Sequence, residues 1–218
     1  MERWATFDCY GTLIDWNGGI GRELERLFGA DRGPRLLHGY HELERAYQRE
    51  RPTAPYREVL TVALVRLAER EGLPLEAAEQ DALARSLPTW QPFSEVPAAL
   101  EDARARNWKL AILSNTDRDY IDASLERIGV PFEFAIVASE IGSYKPGHKH
   151  WEVFEGMTGV PRSAHVHVGA SLYHDVAPAT ELGLRTIWIN RLGEDAEPQP
   201  DVELRSLTGL GDALASLA

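Results

Sequence analysis

Residues 7–13 read Phe-Asp-Cys-Tyr-Gly-Thr-Leu, and this stretch decides the fold. Asp8 ends a short apolar run near the N-terminus, and Gly11 follows three residues later. We therefore predict a strand over residues 3–8 that presents a carboxylate at its carboxyl end, the edge where open α/β sheets bind their ligands. The residue two positions on is Tyr10, whereas a second carboxylate there would suit an acid in phosphoryl transfer.

The segments beyond this turn divide into two kinds. Apolar residues recur at helical spacing throughout residues 14–90, with a last helix expected after Pro74. From residue 92 short apolar runs alternate with helical segments, which predicts βαβ units and a mainly parallel sheet. The strands are predicted at residues 110–113, 134–137, 165–168 and 186–189, and the helices at about 97–107, 117–128, 148–157, 174–182 and 207–217. The helical block therefore predicts a cap inserted after the first strand.

The composition is that of an ordinary globular protein of 218 residues, with 44% hydrophobic and 26% charged residues. A net charge of -11 argues against a nucleic-acid or anionic-membrane partner. A single cysteine excludes an internal disulfide and favours a reducing, cytoplasmic location. Neither a signal peptide nor an apolar run long enough to cross a membrane is predicted.

More polar residues fall where the other core strands are predicted to end. Ser114 and Asn115 follow the second strand, and Lys145 lies in the loop after the third. Asp175 comes about one turn after the fourth strand. Any one of these residues alone is more often a helix cap or a turn residue. Together with Asp8, in this order, they indicate one pocket at the carboxyl edge of the sheet.

The chain resembles the haloacid dehalogenase superfamily, and within it the L-2-haloacid dehalogenase branch. The stretches that carry the resemblance are residues 8–13, 92–97, 110–115, 144–146, 175 and 188–191. The resemblance implies an α/β fold, a modified Rossmann core with a parallel sheet and an inserted helical cap. The core would comprise residues 1–13 and 92–218, and the cap residues 14–91. It also makes a homodimer plausible.

The resemblance implies covalent catalysis by Asp8 on a small carboxylic acid, most simply a short (S)-2-haloalkanoic acid that becomes a 2-hydroxy acid. Lys145 would keep Asp8 ionised in a dry pocket, because a nearby cation lowers a carboxyl pKa. Asp175 is the candidate to orient or deprotonate the water that hydrolyses the aspartyl ester. The residues expected to orient Asp8 or contact substrate are Thr12, Ser114, Asn115, Tyr10, Trp151 and His174.

No metal and no other cofactor is expected. Phosphatases of the superfamily carry an aspartate at the position of Tyr10 and an acidic metal ligand at the position of Ala170. Displacement at carbon needs neither group. The alternatives are a hydrolase of the same fold that removes a non-halide group from another small acid, less favourably a phosphatase, and a catalytically weak interaction module.

The resemblance is incomplete at the expected halide site on the cap and in the motif that ends at Asp175. Family members carry an arginine on the long cap helix, at a position that falls near Gly39 here; the substitutes considered are His38, Tyr40, His41 and Arg45. A serine, an asparagine and a tyrosine of the family appear here as Ala170, Leu172 and Trp151. Packing or surface exposure is expected for His165 and His167, since no third metal ligand has suitable spacing.

Overall fold

The computed structural model describes residues 2–217 and contains one six-stranded sheet, ordered β3-β2-β1-β4-β5-β6 with all neighbours parallel. The strands are β1 (Arg3–Phe7), β2 (Trp108–Ser114), β3 (Phe134–Val137), β4 (His165–Gly169), β5 (Arg185–Ile189) and β6 (Val202–Leu204). The parallel α/β architecture predicted from the sequence is therefore confirmed. β1 is central, and its residues are almost entirely buried because both faces of the sheet are covered.

The helices connect and cover these strands. They are α1 (Trp16–Phe28), α2 (Gly33–Glu50), α3 (Tyr56–Glu71), α4 (Ala82–Ser86), α5 (Val96–Ala105), α6 (Arg118–Ile128), α7 (Ala138–Ile141), α8 (Lys149–Thr158), α9 (Ala177–Glu181) and α10 (Leu210–Ser216). A π-helical turn, Leu172–Val176, precedes α9 and carries Asp175. Among residues 2–217, no helix is long and apolar enough to cross a bilayer.

The chain leaves and re-enters the sheet layer at one place. Ile14 bridges to Pro92, the Asp15 amide donates to the Gln91 carbonyl at 2.9 Å, and residue 93 donates to the carbonyl of residue 13 at 3.0 Å. Helices α1 to α4 lie between these two crossing segments. We interpret them as the predicted cap, with boundaries near residues 14 and 91.

Three local details differ from the predictions. The single helix expected after Pro74 is instead a series of short turns around the five-residue α4. The three-residue strand β6 was missed, because an edge strand of that length has too few residues to show a period of two. The helix expected at 174–182 starts earlier, as the π-helical turn.

Candidate active site

Asp8 follows β1, and its backbone amide extends the sheet by donating to the Val168 carbonyl at 2.9 Å. Its Oδ2 accepts a 2.8 Å hydrogen bond from the Thr12 hydroxyl, which in turn accepts from the Ala170 amide at 2.9 Å. Gly11 allows the chain to turn sharply between Asp8 and Thr12, because its φ of 92° is readily accessible to glycine. The Asp8 side chain is 13% exposed, and it opens onto a cavity.

Lys145 is a buried ammonium between two carboxylates. Its Nζ lies 3.0 Å from Oδ1 of Asp8 and 2.6 Å from Oδ1 of Asp175. The side-chain amide of Asn115 makes two hydrogen bonds to the backbone of Lys145. Asn115 Nδ2 donates to the Lys145 carbonyl at 2.9 Å, and Asn115 Oδ1 accepts from the Lys145 amide at 2.6 Å. Asn115 therefore positions the lysine, a contact that the sequence did not suggest.

Asp175 reaches this cluster because of Gly169. A Cβ at position 169 would lie 2.5 Å from Cγ of Asp175, so the carboxylate occupies the space that any larger residue would fill. Oδ2 of Asp175 accepts from the Ser171 amide at 3.2 Å, and Oδ1 accepts from Lys145 and lies 3.3 Å from Nε2 of His167. These donors favour the ionised carboxylate.

The two carboxyl groups differ in acidity. Burial raises the pKa of Asp8 to about 6, although Lys145 opposes this. Burial would also raise the pKa of Asp175, but Lys145 and then His167 bring it well below its usual range. Burial alone would lower the pKa of Lys145, and the two carboxylates instead hold it above the ordinary value. The cluster thus carries a firmly ionised aspartate, an ammonium and a more basic aspartate.

The cavity above Asp8 has a volume of about 830 Å³ and lies between the strand ends and α2. The cap residues that line it on α2 are His38, His41, Glu44, Arg45, Gln48 and Arg49. Position 39 faces elsewhere, since a Cβ on Gly39 would lie 1.9 Å from the Arg70 guanidinium on α3. Tyr40 is buried in the core. Of the four substitutes considered for the family arginine, three therefore reach the cavity: His38, His41 and Arg45.

A hydrogen-bonded chain crosses the cap side of the cavity. The Trp16 indole donates to the Tyr56 hydroxyl at 3.0 Å, which donates to Oε1 of Glu44 at 2.8 Å. Glu44 is 3% exposed, and burial raises its pKa to about 7. The His41 ring packs on Trp16 with centroids 4.5 Å apart. Sequence reasoning missed Glu44 and Tyr56, because helical periodicity marks them only as residues of a packed face.

Arg191 was part of the recognised motif, but no role was predicted for it. Its Nη2 donates to the Thr12 carbonyl at 2.9 Å and pairs with Glu95 at 2.8 Å. Its guanidinium lies 3.5 Å from the centroid of the Phe93 ring. These contacts tie the Asp8 loop to the end of β5 and place a further cation at the cavity wall.

The remaining predicted contact residues behave differently. Ser114 is 1% exposed and lines the cavity, and its hydroxyl has no hydrogen-bond partner within residues 2–217. Tyr10 also lines the cavity, but its hydroxyl pairs with Ser124 on α6 at 2.9 Å. His174 lies at the wall with Nδ1 3.1 Å from the Ser171 hydroxyl, and burial lowers its pKa to about 4.

Trp151, predicted to contact substrate, is not placed at the cavity. Trp151 is fully buried on α8, where it packs in a core cluster with Trp4 and Phe154 and is absent from the cavity lining. Of the two alternatives expected for the paired histidines, the structure shows packing, since His165 and His167 are each 1% exposed. Both lie on β4 and pack against α8.

Comparison with known proteins agrees with this fold. The family described as haloacid dehalogenase-like hydrolase matches residues 3–183. An (S)-2-haloacid dehalogenase from Pseudomonas sp. (strain YL) is 32% identical over 97% of this chain and 94% of its own length. A crystal structure of an L-2-haloacid dehalogenase matches with a TM-score of 0.89 and 25% identity, covering 98% of this chain and 99% of that one.

The L-2-haloacid dehalogenase from Xanthobacter autotrophicus, solved with chloropropionic acid covalently bound, has a TM-score of 0.87 and 20% identity, with full coverage of both chains. At that identity, the match shows a shared fold. The match to the family over most of the chain and the relative at 32% identity establish the assignment. The chain belongs to the haloacid dehalogenase-like hydrolases and is an enzyme of that family.

Proposed function

We propose that this enzyme hydrolyses short (S)-2-haloalkanoic acids to 2-hydroxy acids through an aspartyl ester and without a metal. The carrying observation is that Asp8 opens onto the cavity while Lys145 and Thr12 bind its two oxygens. An oriented carboxylate with little water around it is a competent nucleophile toward carbon. The similarity to (S)-2-haloacid dehalogenases supports this substrate class.

In the first step, an Asp8 oxygen attacks C2 of the substrate from the side opposite the carbon–halogen bond. The new C–O bond forms as the carbon–halogen bond breaks, and the halide leaves with the electron pair. The configuration at C2 inverts. The Ser114 hydroxyl, which has no partner among the described residues, is assigned to the substrate carboxylate. Arg45 on α2 is assigned to the departing halide, because it faces the cavity where Gly39 does not.

In the second step, water attacks Cγ of Asp8 and the ester C–O bond breaks. One proton of the water ends on the hydroxyl of the product, the other passes to solvent, and the Asp8 carboxylate is restored. Asp175 orients this water and holds Lys145. Its low pKa makes it a better acceptor than proton carrier, so orientation is its main role.

The geometry favours this chemistry over phosphoryl transfer. Tyr10 stands where a phosphatase would place its acid, and its hydroxyl is already engaged with Ser124. Ala170 offers no side-chain oxygen at the end of β4, and the ammonium of Lys145 lies between the two remaining carboxylates. Magnesium requires several oxygen ligands in near-octahedral array. The donor set therefore suits an ammonium better than a divalent cation.

Halide release from (S)-2-chloropropionate, its (R) enantiomer and chloroacetate tests the proposal, with and without chelator. We expect chelator-insensitive release with the (S) acid and loss of release in Asp8→Asn. Asp195→Asn, an exposed aspartate outside the site, is the matched control. Turnover in ¹⁸O water should label the peptide that contains Asp8. Label found only in the product, or release that persists in Asp8→Asn, contradicts the ester route.

Turnover of phosphate esters, or of another small acid with a non-halide leaving group, in the absence of halide release would support the corresponding alternative hydrolase. Inactivity toward all of these substrates would favour the interaction module. The homodimer and the cytoplasmic location stay predictions; sedimentation equilibrium of the purified chain checks the first, and cell fractionation checks the second.

A further inference from the structure

A chain of buried polar side chains lies beneath the site, on the face of the sheet that α8 covers. Thr6 on β1 stands opposite His167 on β4 in the strand register. The Thr6 hydroxyl is 2.9 Å from Nδ1 of His167 and 2.7 Å from Nε2 of His165. Nε2 of His167 is in turn 3.3 Å from Oδ1 of Asp175. The chain thus runs from the middle of the sheet to the carboxylate that binds Lys145.

The donor and acceptor roles in this series of hydrogen bonds can run in only one direction. Asp175 is ionised and can only accept, so Nε2 of His167 must carry the proton. In a neutral ring Nδ1 is then the acceptor, and the Thr6 hydroxyl donates to it. The Thr6 oxygen is left to accept from Nε2 of His165. Nδ1 of His165 is the bare nitrogen at the far end, and it has no partner among residues 2–217.

Packing and charge hold this arrangement. The Trp151 ring meets His167 edge-on at 5.1 Å, and Phe154 lies 4.4 Å from the ring of His165. The titratable groups that face His167 are Asp175 and Lys145 at the sheet edge, His165 on its own strand and His150 on α8. Burial, with the positive charge of Lys145, lowers the pKa of His167 although Asp175 opposes this, which favours the neutral ring.

We propose that Thr6 and His167 are positioning residues, which fix the Asp175 carboxylate through a one-directional relay and so determine how Lys145 is shared between Asp175 and Asp8. The His167 donor satisfies part of the charge on Asp175, which leaves Lys145 available to Asp8. Without that donor, Asp175 draws the ammonium toward itself, and Asp8 becomes harder to ionise. The activity readout rests on the proposed function, whereas the proton arrangement does not.

The proton arrangement is tested directly by ¹⁵N spectroscopy of the histidine-labelled full chain. We expect His167 and His165 to be neutral Nε2–H tautomers from pH 7 to pH 8, with resonances assigned by His167→Gln and His165→Gln. An Nδ1–H tautomer of His167, or its protonation within that range, overturns the relay.

Matched variants of Thr6 test its consequence for catalysis. With (S)-2-chloropropionate as probe, Thr6→Val should lower kcat about tenfold, leave KM within about twofold and move the acid limb of kcat/KM to higher pH. Thr6→Ser keeps the hydroxyl and should restore most of the loss. His167→Gln should likewise retain more activity than His167→Leu, since its amide can still donate to Asp175.

The control variant is His148→Gln, at the N-cap of α8, where the 37% exposed side chain pairs with Glu181 and makes no hydrogen bond to Thr6 or His167 among residues 2–217. Melting temperatures of all variants separate unfolding from loss of positioning. If Thr6→Val stays folded with unchanged kcat and pH profile, the proposed positioning is refuted. If the native enzyme releases no chloride, the proposed function fails while the ¹⁵N tautomers still decide the relay. If Thr6→Val does not fold, the proposed positioning is tested instead by comparing His167→Gln with His167→Leu and by the ¹⁵N tautomer measurement.

Discussion

Replacing Gly169 with alanine should damage catalysis through a single misplaced carboxylate. The new Cβ would lie 2.5 Å from Cβ and Cγ of Asp175 and 2.6 Å from its Oδ2. An ordinary carbon–carbon contact is about 3.5 Å, so Asp175 must move by about 1 Å. That shift breaks the 2.6 Å bond to Lys145 and displaces the acceptor for the hydrolytic water. Misplacement by about 1 Å can cost roughly 100-fold in rate.

The assay is steady-state chloride release from (S)-2-chloropropionate, with a rapid-quench measurement of the aspartyl ester. We expect kcat of Gly169→Ala to fall about 100-fold and the ester to accumulate, because its hydrolysis depends on Asp175. Overpacking should also cost about 1–3 kcal/mol of unfolding free energy. Gly156→Ala on α8, where a Cβ would meet nothing within 4 Å, is the matched control. Unchanged kcat in a folded Gly169→Ala enzyme would refute the assigned role of Asp175.

Three further predictions concern the charges of the site. Asp8 attacks only when ionised, and its pKa is raised to about 6. Therefore kcat/KM should fall about tenfold per pH unit below that value and level off above it. A flat profile down to pH 4 would contradict Asp8 as the nucleophile. Lys145→Met removes an ammonium 3.0 Å from Asp8, an attraction of about 5.5 kcal/mol at an effective dielectric constant of 20. Chloride release at pH 7 should therefore drop at least about 1,000-fold. Arg45→Met should lower kcat/KM about tenfold, and the size of the loss should differ between bromide and chloride as the leaving group. Equal losses with the bromo and chloro substrates would contradict a place for Arg45 in the halide site.

The sequence predicted what depends on local pattern. Buried parallel strands appear as short apolar runs, so β1 to β5 were found with their edges within a few residues. Because the carboxyl ends of parallel strands share one edge, Asp8, Lys145 and Asp175 could be expected to meet there, and they do. The order of the cap helices followed from periodicity alone. The short turns around α4 did not, since packing rather than propensity sets their limits.

What the sequence could not show is the direction of individual side chains. Trp151 lies on the face of α8 that packs in the core, and its position in the sequence does not by itself say which way that face points. The choice between packing and exposure for His165 and His167 stayed open because an imidazole suits either core or surface. In the structure, the Thr6 hydroxyl on the neighbouring strand pairs with one nitrogen of each ring. The π-helical turn that aims Asp175 over Gly169 likewise depends on contacts between separate segments.

The division of labour between the two aspartates follows from their different surroundings. Both bind Lys145, yet Asp175 is 1% exposed and has further donors in Ser171 and His167. Asp8 is 13% exposed, and among residues 2–217 its carboxylate accepts only from Thr12 besides the lysine. More hydrogen-bond donors stabilise a carboxylate anion and weaken it as a nucleophile. Asp175 is therefore suited to holding Lys145, and Asp8 to attacking the substrate carbon. Esterification of Asp8 removes its charge, which leaves Lys145 paired with Asp175 alone. The same ammonium that oriented the nucleophile then lies beside the acyl group of the ester, where it favours the negative charge that develops as water attacks.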